Sequence, residues 1–322
     1  MILKEIKKSW ILSSGLIGCE NQCLGVIERL GIETEIKKIK PSMAVSVFAP
    51  YGTPFLNPQV REPWPDLVIA AGRKTIPYLK YIRRASKKEC KTIYLQDPRI
   101  DSKEFDIVWA PEHDSIEGNN VVKTITSPNR VTNELLNYHH DKWLGKLSKL
   151  KGPFIGFLIG GKSKAYNFND DECEKIIQAI NFVISNGYTP LITLSRRSPK
   201  KLSNRIKSLL INEKNLFYDG KGDNPYFAIL KASELIITTP DSANMISEAI
   251  NVPKPVYYID IKSNSKRFNK FINTLVNSGH IRPFENNIDY FQNKKLDPTK
   301  EIVDYIYKLS LIHISEPTRL LS

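Results

Sequence analysis

Short runs of uninterrupted apolar residues alternate with stretches whose apolar positions recur every three to four residues. WILSS, PDLVIAAG, KTIYLQ, FDIVWAP and NNVVKTIT read as strands in the first half, with a short basic strand EIKKIK and helices over GCENQCLGVIERLG and TIPYLKYIRRAS. A proline-rich loop spans residues 41–65. Residues 131–147 have helical periodicity and lead to a second start at GPFIGFLIGG. From there the pattern continues through a helix over 170–186, the strand TPLITLS, the helix PKKLSNRIKSLLI, the strand NLFYDG, the helix NPYFAILKAS and the strand LIITTP. Strands apolar on both faces and separated by helices imply a parallel sheet covered on both sides. The expectation is α/β: two Rossmann-like doubly wound domains facing across a cleft, residues 1–150 and 151–308.

The length of 322 residues suits two such domains. No apolar run reaches the roughly 20 residues a membrane helix needs. Four cysteines, Cys19, Cys23, Cys90 and Cys173, show neither CxxC nor zinc-ligand spacing, which points to free thiols in a reducing cytoplasm and to no metal. No Arg- and Ser-rich leader of an imported organelle protein is legible, and the basic N-terminus before WILSSGLIG reads as mature structure. The formal charge of +13 admits nucleic acid, an anionic membrane surface or a phosphorylated substrate as partner. The lysines are scattered and lack the aromatic interleaving of a single-strand binder, which disfavours nucleic acid and leaves a peripheral contact with anionic lipid open. Lysine-rich composition has a genomic explanation too. The segment LSLIHISEPTR resembles a translated sequencing adapter, so residues 309–322 are expected to be an artefact tail.

In open α/β sheets ligands sit beyond the C-terminal ends of the strands. The segment IITTPDSANMISEAINVPKPVYY reads as strand, polar turn, helix and strand. Its turn faces a helix start, where unpaired amides and the helix dipole favour an anion, with Ser242 and Asn244 beside it. Glu248, about two turns on, would accept hydrogen bonds from a ribose diol. The alternative is a plain crossover with a polar turn. After another strand, Gly160, Gly161, Lys162 and Ser163 fit neither a Walker loop nor GxGxxG, yet suit a diphosphate cradle. Arg196 and Arg197 end the next strand and would carry diphosphate charge, or remain solvated. In the first half, Gly72 and Arg73 follow a strand; the arginine forks onto an anion or ties its own loop. Asp97, Arg99, His113 and Asp114 lie at adjacent strand ends. His113 beside carboxylates reads as a general base or as part of a structural turn. NAD chemistry is disfavoured because no GxGxxG follows the first strand.

Several of these segments together, ENQ, PDLVIAAGR, LQDPR, FDIVWAPEHD, GNNVVKT, LIGGKSKAY, ITLSRRSP, DGKGDNPY and TTPDSANMISEA with KPVYY, resemble the mitochondrial-fission "elongated mitochondria" family, in order over residues 9–285. The resemblance implies a GT-B-like pair of Rossmann-type halves, as in nucleotide-sugar glycosyltransferases, and a role in plants in recruiting a fission dynamin. Pro240 and Ala243 depart from many members and alter the turn. On this resemblance the nucleotide diphosphate sugar is a co-substrate held by Gly160, Gly161, Lys162, Ser163, Arg196, Arg197, Ser242, Asn244 and Glu248, with no separate cofactor. Gly15, Asn21, Gln22, Gly72, Arg73, Asp97 and Arg99 would flank the acceptor, and His113 with Asp114 would act on it. The expected activity is metal-independent sugar transfer; the alternative is a non-catalytic adaptor that binds a protein partner or an anionic membrane.

Overall fold

A computed structural model describes residues 6–52, 54, 60–211 and 215–315. Lys4, part of the proline-rich loop and the last seven residues of the expected tail lie outside them. Two compact units result: one of Met1–Arg130 with Asp297–Ser322, the other Val131–Leu296. The expected boundary near residue 150 differs on two counts: the helix before it belongs with the second unit, and the last helix returns to the first.

The first unit is a six-stranded parallel sheet of β1 (Lys8–Ser13), β2 (Glu33–Lys38), β3 (Leu67–Ala71), β4 (Lys91–Leu95), β5 (Ile107–Pro111) and β6 (Val121–Thr124), in the order β2-β1-β3-β4-β5-β6. Alternate side chains serve opposite faces. Trp10, Leu12, Val68, Ala70 and Tyr94 pack with α3 (Ile76–Ala85) on one side. Ile11, Ile69, Leu95 and Trp109 pack on the other with α1 (Ile17–Leu30) and with Ile302, Val303 and Ile306 of the last helix, α10 (Pro298–Ser315). That double coverage is why these strands read as unbroken apolar runs. Thr299 fastens α10 to the sheet by exchanging hydrogen bonds with the Asn129 backbone, and Arg29 pairs with Asp297 at 3.3 Å. The helix runs on to Ser315, beyond the Lys308 at which the recognisable pattern stops, and Leu309 packs against the core. Within the proline-rich stretch lies a short helix the sequence pattern did not show, α2 (Met43–Phe48), capped by Ser42.

The second unit holds β7 (Phe154–Ile159), β8 (Thr189–Leu194), β9 (Leu216–Tyr218), β10 (Leu235–Thr238), β11 (Val256–Tyr258) and β12 (Arg282–Pro283), ordered β12-β11-β10-β7-β8-β9 and all parallel. Relabelled from β7 onward this is the 3-2-1-4-5-6 order of a dinucleotide-binding sheet, whose direction of winding reverses between β7 and β10. Its helices are α4 (Asn133–Leu147), α5 (Asp170–Ser185), α6 (Lys200–Leu209), α7 (Tyr226–Ala232), α8 (Ala243–Ile250) and α9 (Lys266–Asn277). The start of α5 is fixed by a capping box, Asn169 with Glu172, and by three acids in its first turn. Among the described residues no helix is long and apolar enough to cross a membrane.

Gly25 on α1 lies against the chain at Asn129, where an added Cβ would fall 2.3 Å from a carbonyl oxygen. Gly25→Ala should gain up to about 1 kcal/mol of helix propensity, but the backbone cannot yield as a side chain would. Overpacking costs of about 1–3 kcal/mol should prevail, so urea denaturation should show a net loss of stability.

Candidate functional site

At the reversal point of the second sheet, the loops that follow β7, β8 and β10 converge on one carboxylate. Asp241 is fully buried at its side chain and accepts hydrogen bonds from the Gly161 amide at 3.0 Å and the Thr239 hydroxyl at 2.7 Å, while Arg197 pairs with it at 3.0 Å. Burial pushes its pKa up, and the Gly161 amide, the Thr239 hydroxyl and the guanidinium charge oppose that shift. Thr239 in turn receives the Gly160 amide at 2.8 Å. Ser198 binds the Gly160 carbonyl at 2.5 Å, and the Lys162 amide reaches the Arg197 carbonyl at 3.2 Å. A Cβ at Gly160 would lie 2.0 Å from Asp241, and one at Gly161 2.1 Å from the Arg197 carbonyl oxygen. The glycines therefore permit close approach between loops.

This corrects the expected cradle. The amides of Gly160 and Gly161 are engaged inside the protein, and Ser163 is likewise taken, its hydroxyl accepting from Ala165 and Tyr166 at 3.2 Å each. Arg197 is anchored to Asp241, although about half its side chain remains exposed; Arg196 and Lys162 are exposed.

The loops aim α8. Ser242 is its N-cap, accepting from the Met245 amide at 3.4 Å. The first amides of any helix lack intrahelical acceptors, and α8 begins at Ala243. One and a half turns on, Glu248 is buried, and Tyr226, the first residue of α7, donates its hydroxyl to it at 2.6 Å. Burial and the neighbouring carboxylate hold the Tyr226 phenol well above its usual pKa, so it stays a donor. Sequence reading quoted this tyrosine within DGKGDNPY and gave it no role; its place at the start of a helix after a strand-end loop was the available signal.

On the first unit the candidate residues are dispersed over strand ends. His113 Nε2 lies 3.8 Å from Asp114 Oδ1, both largely buried in the turn after β5. Arg73, open to either an anion fork or a loop tie, donates to the Ala49 carbonyl at 2.5 Å and the Val47 carbonyl at 2.9 Å, closing the end of α2. Asp97 and Arg99 satisfy each other: the carboxylate takes the Arg99 amide at 2.9 Å and its Nε at 3.1 Å. Gln22 is buried and accepts from Gln96 at 3.4 Å, while Asn21 is half-buried on α1. Gly15 and Gly72 adopt φ of 86° and 89°, values that favour glycine. Gly15 is exposed at the start of the loop into α1. Among the described residues no three His, Cys, Asp or Glu side chains are grouped to hold a metal ion.

The architecture recurs in solved proteins. The UDP-GlcNAc 2-epimerase from Methanocaldococcus jannaschii superposes with a TM-score of 0.58 at 15% identity, covering 94% of this chain and 99% of that one. The MnaA protein of S. aureus, solved with UDP, gives 0.54 at 14% identity over 96% and 88% of the two chains. At such identities the likeness is one of fold: GT-B-like, built of two Rossmann-type α/β units. By sequence, an uncharacterised protein of Rickettsia prowazekii, RP120, is 26% identical over 75% of this chain and 79% of its own. The mitochondrial fission protein ELM1 of Arabidopsis thaliana is 25% identical over 74% of this chain, which spans 62% of the plant protein. The sequence pattern described as "Mitochondrial fission ELM1" matches residues 17–309, and the chain belongs to that family.

Proposed function

We propose that the second unit binds a nucleoside diphosphate, and that the bound form is a nucleotide sugar. The observation that carries this reading is the placement of α8: its start lies at the sheet's reversal point, and its buried Glu248 is held ready by Tyr226. The diphosphate would sit on the first-turn amides and Ser242, with the charge of Arg196 and the exposed part of Arg197 nearby, and the ribose hydroxyls would donate to Glu248. Two neighbours of the same fold support uridine as the base, since the M. jannaschii epimerase was solved with UDP-GlcNAc and UDP and MnaA with UDP.

From this site we propose sugar transfer. An acceptor hydroxyl gives its proton to His113, its oxygen bonds to the anomeric carbon, and the bond from that carbon to the diphosphate breaks with its electrons leaving on the nucleotide. Helix-start amides and arginine charge would stabilise the leaving group. The rival reading is a non-catalytic adaptor that binds a protein partner or an anionic membrane. It is supported by the name of the Arabidopsis relative. It predicts no nucleotide binding.

Thermal-shift titration with UDP, GDP, CDP and their sugars decides between them, because ligand at about 100 times its Kd adds roughly 2.7 kcal/mol of stability. A uridine nucleotide should raise Tm. Glu248→Ala should weaken it about 10- to 100-fold, the worth of hydrogen bonds to a charged acceptor. No response across the whole panel would sink the nucleotide reading.

His113→Ala should leave uridine nucleotide affinity intact while cutting UDP release from UDP-sugars, supplied with lysate fractions as acceptor source, by about 100-fold or more. If the wild-type protein binds the nucleotide and releases none, transfer is excluded and binding stands alone.

Asp241→Ala tests the scaffold. It leaves the Gly161 amide and the Thr239 hydroxyl without their acceptor and should cost about 2–4 kcal/mol in urea denaturation. Because burial raises the Asp241 pKa, the folded state takes up this proton before the unfolded state does. The group's contribution to stability therefore grows as pH falls through the raised pKa towards the ordinary value of 3.8. Asp241→Asn should flatten that acid-side slope.

A further inference from the structure

The first sheet also has a reversal point, between β1 and β3, and its surroundings differ in kind from those of the second. The loop after β1 presents Leu16 and Ile17, which are 57% and 50% exposed. The helix α2 turns Val45 into the core and leaves Met43, Val47 and Phe48 at 84%, 63% and 66% exposure, with Tyr51 just beyond at 75%. The two groups are tied to one short loop: a Cβ on Gly72 would lie 3.9 Å from Leu16 Cδ1, and the next residue, Arg73, holds the Val47 and Ala49 carbonyls.

The charged side chains near these residues in sequence are mostly cations. Lys38, Lys40, Arg73 and Lys74 are exposed, and the sequence contains no Asp or Glu between Glu35 and Glu62. Glu20, in the first turn of α1, accepts the Ser13 hydroxyl at 2.6 Å. Large exposed apolar side chains with exposed cations close by in sequence match the two layers of an anionic bilayer surface, acyl chains beneath and phosphate headgroups above. Neither feature suffices alone, since lysines by themselves bind weakly and single exposed apolar residues are ordinary. Their coincidence on one loop and one helix, without a carboxylate in the segment, selects the partner.

We propose that this face of the first unit docks on anionic phospholipid, with Met43, Val47 and Phe48 entering the headgroup boundary and Lys40 and Lys74 pairing with lipid phosphates. The surface lies on the first unit, and the proposed nucleotide site on the second.

The test is co-sedimentation of the full chain with phosphatidylcholine vesicles, with and without phosphatidylserine at about one lipid in three. The wild-type protein should pellet with the anionic vesicles and stay with the supernatant on pure phosphatidylcholine. Raising salt until the Debye length falls from about 10 Å to about 3 Å should weaken the association. Met43→Gln/Val47→Gln/Phe48→Gln should reduce it at least about tenfold, and Lys40→Gln/Lys74→Gln should do so at low salt, both with an unchanged Tm because these side chains are exposed. Three results would overturn the proposal: no pelleting with anionic vesicles, equal pelleting by the triple variant, or a wild-type dimer that the triple variant converts to monomer while neither binds vesicles, in which case a second copy covers the face.

Discussion

The polar end of the second unit depends on a single buried carboxylate. Asp241 has no exposed side-chain surface and is held by an amide, a hydroxyl and a guanidinium from three loops. A carboxylate in that setting is stable only while its donors stay in place, so the three loops constrain one another. Gly160 and Gly161 are there because any side chain would strike Asp241 or the Arg197 backbone. The geometry of α8, and with it the position of Glu248, follows from this knot.

The two sheets share a topological principle and differ in what they place at the point where winding reverses. In the second, small polar residues together with Arg197 are drawn into a hydrogen-bonded lattice that orients a helix start. In the first, the residues are large, apolar and basic, and the guanidinium of Arg73 closes a helix end. Fold alone does not decide such chemistry; the side chains at the strand ends do.

Much of the architecture could be read from the pattern of apolar runs, because a strand buried on both faces leaves an unmistakable signature. The parallel sheets and nearly all their strands, from WILSS to LIITTP, were legible for that reason. So was a helix start after the polar turn, which Ser242 caps. The two-residue β12 is too short to carry a signal, and α2 was hidden among prolines and exposed apolar residues that show no amphipathic period. The unit boundary was missed because the burial of Ile302, Val303 and Ile306 against α1 is a long-range fact without a local signature. The same limit applies to the candidate site. Glycines after a strand announce close approach, but whether a ligand or a neighbouring loop makes that approach depends on residue 241, some eighty positions away. Arg73 was read as either anion fork or loop tie, and only the carbonyls of Val47 and Ala49 resolve the choice.

The return of α10 to the first sheet makes that unit discontinuous, with the whole second unit inserted between its parts. On a ribosome, the apolar surface of α1 and β3 emerges early, yet the residues that cover it are among those made later. The inserted unit is complete and able to fold while its host still lacks a wall. Maturation of the first sheet is thereby coupled to translation of the second, and the half that begins first is the half that finishes last.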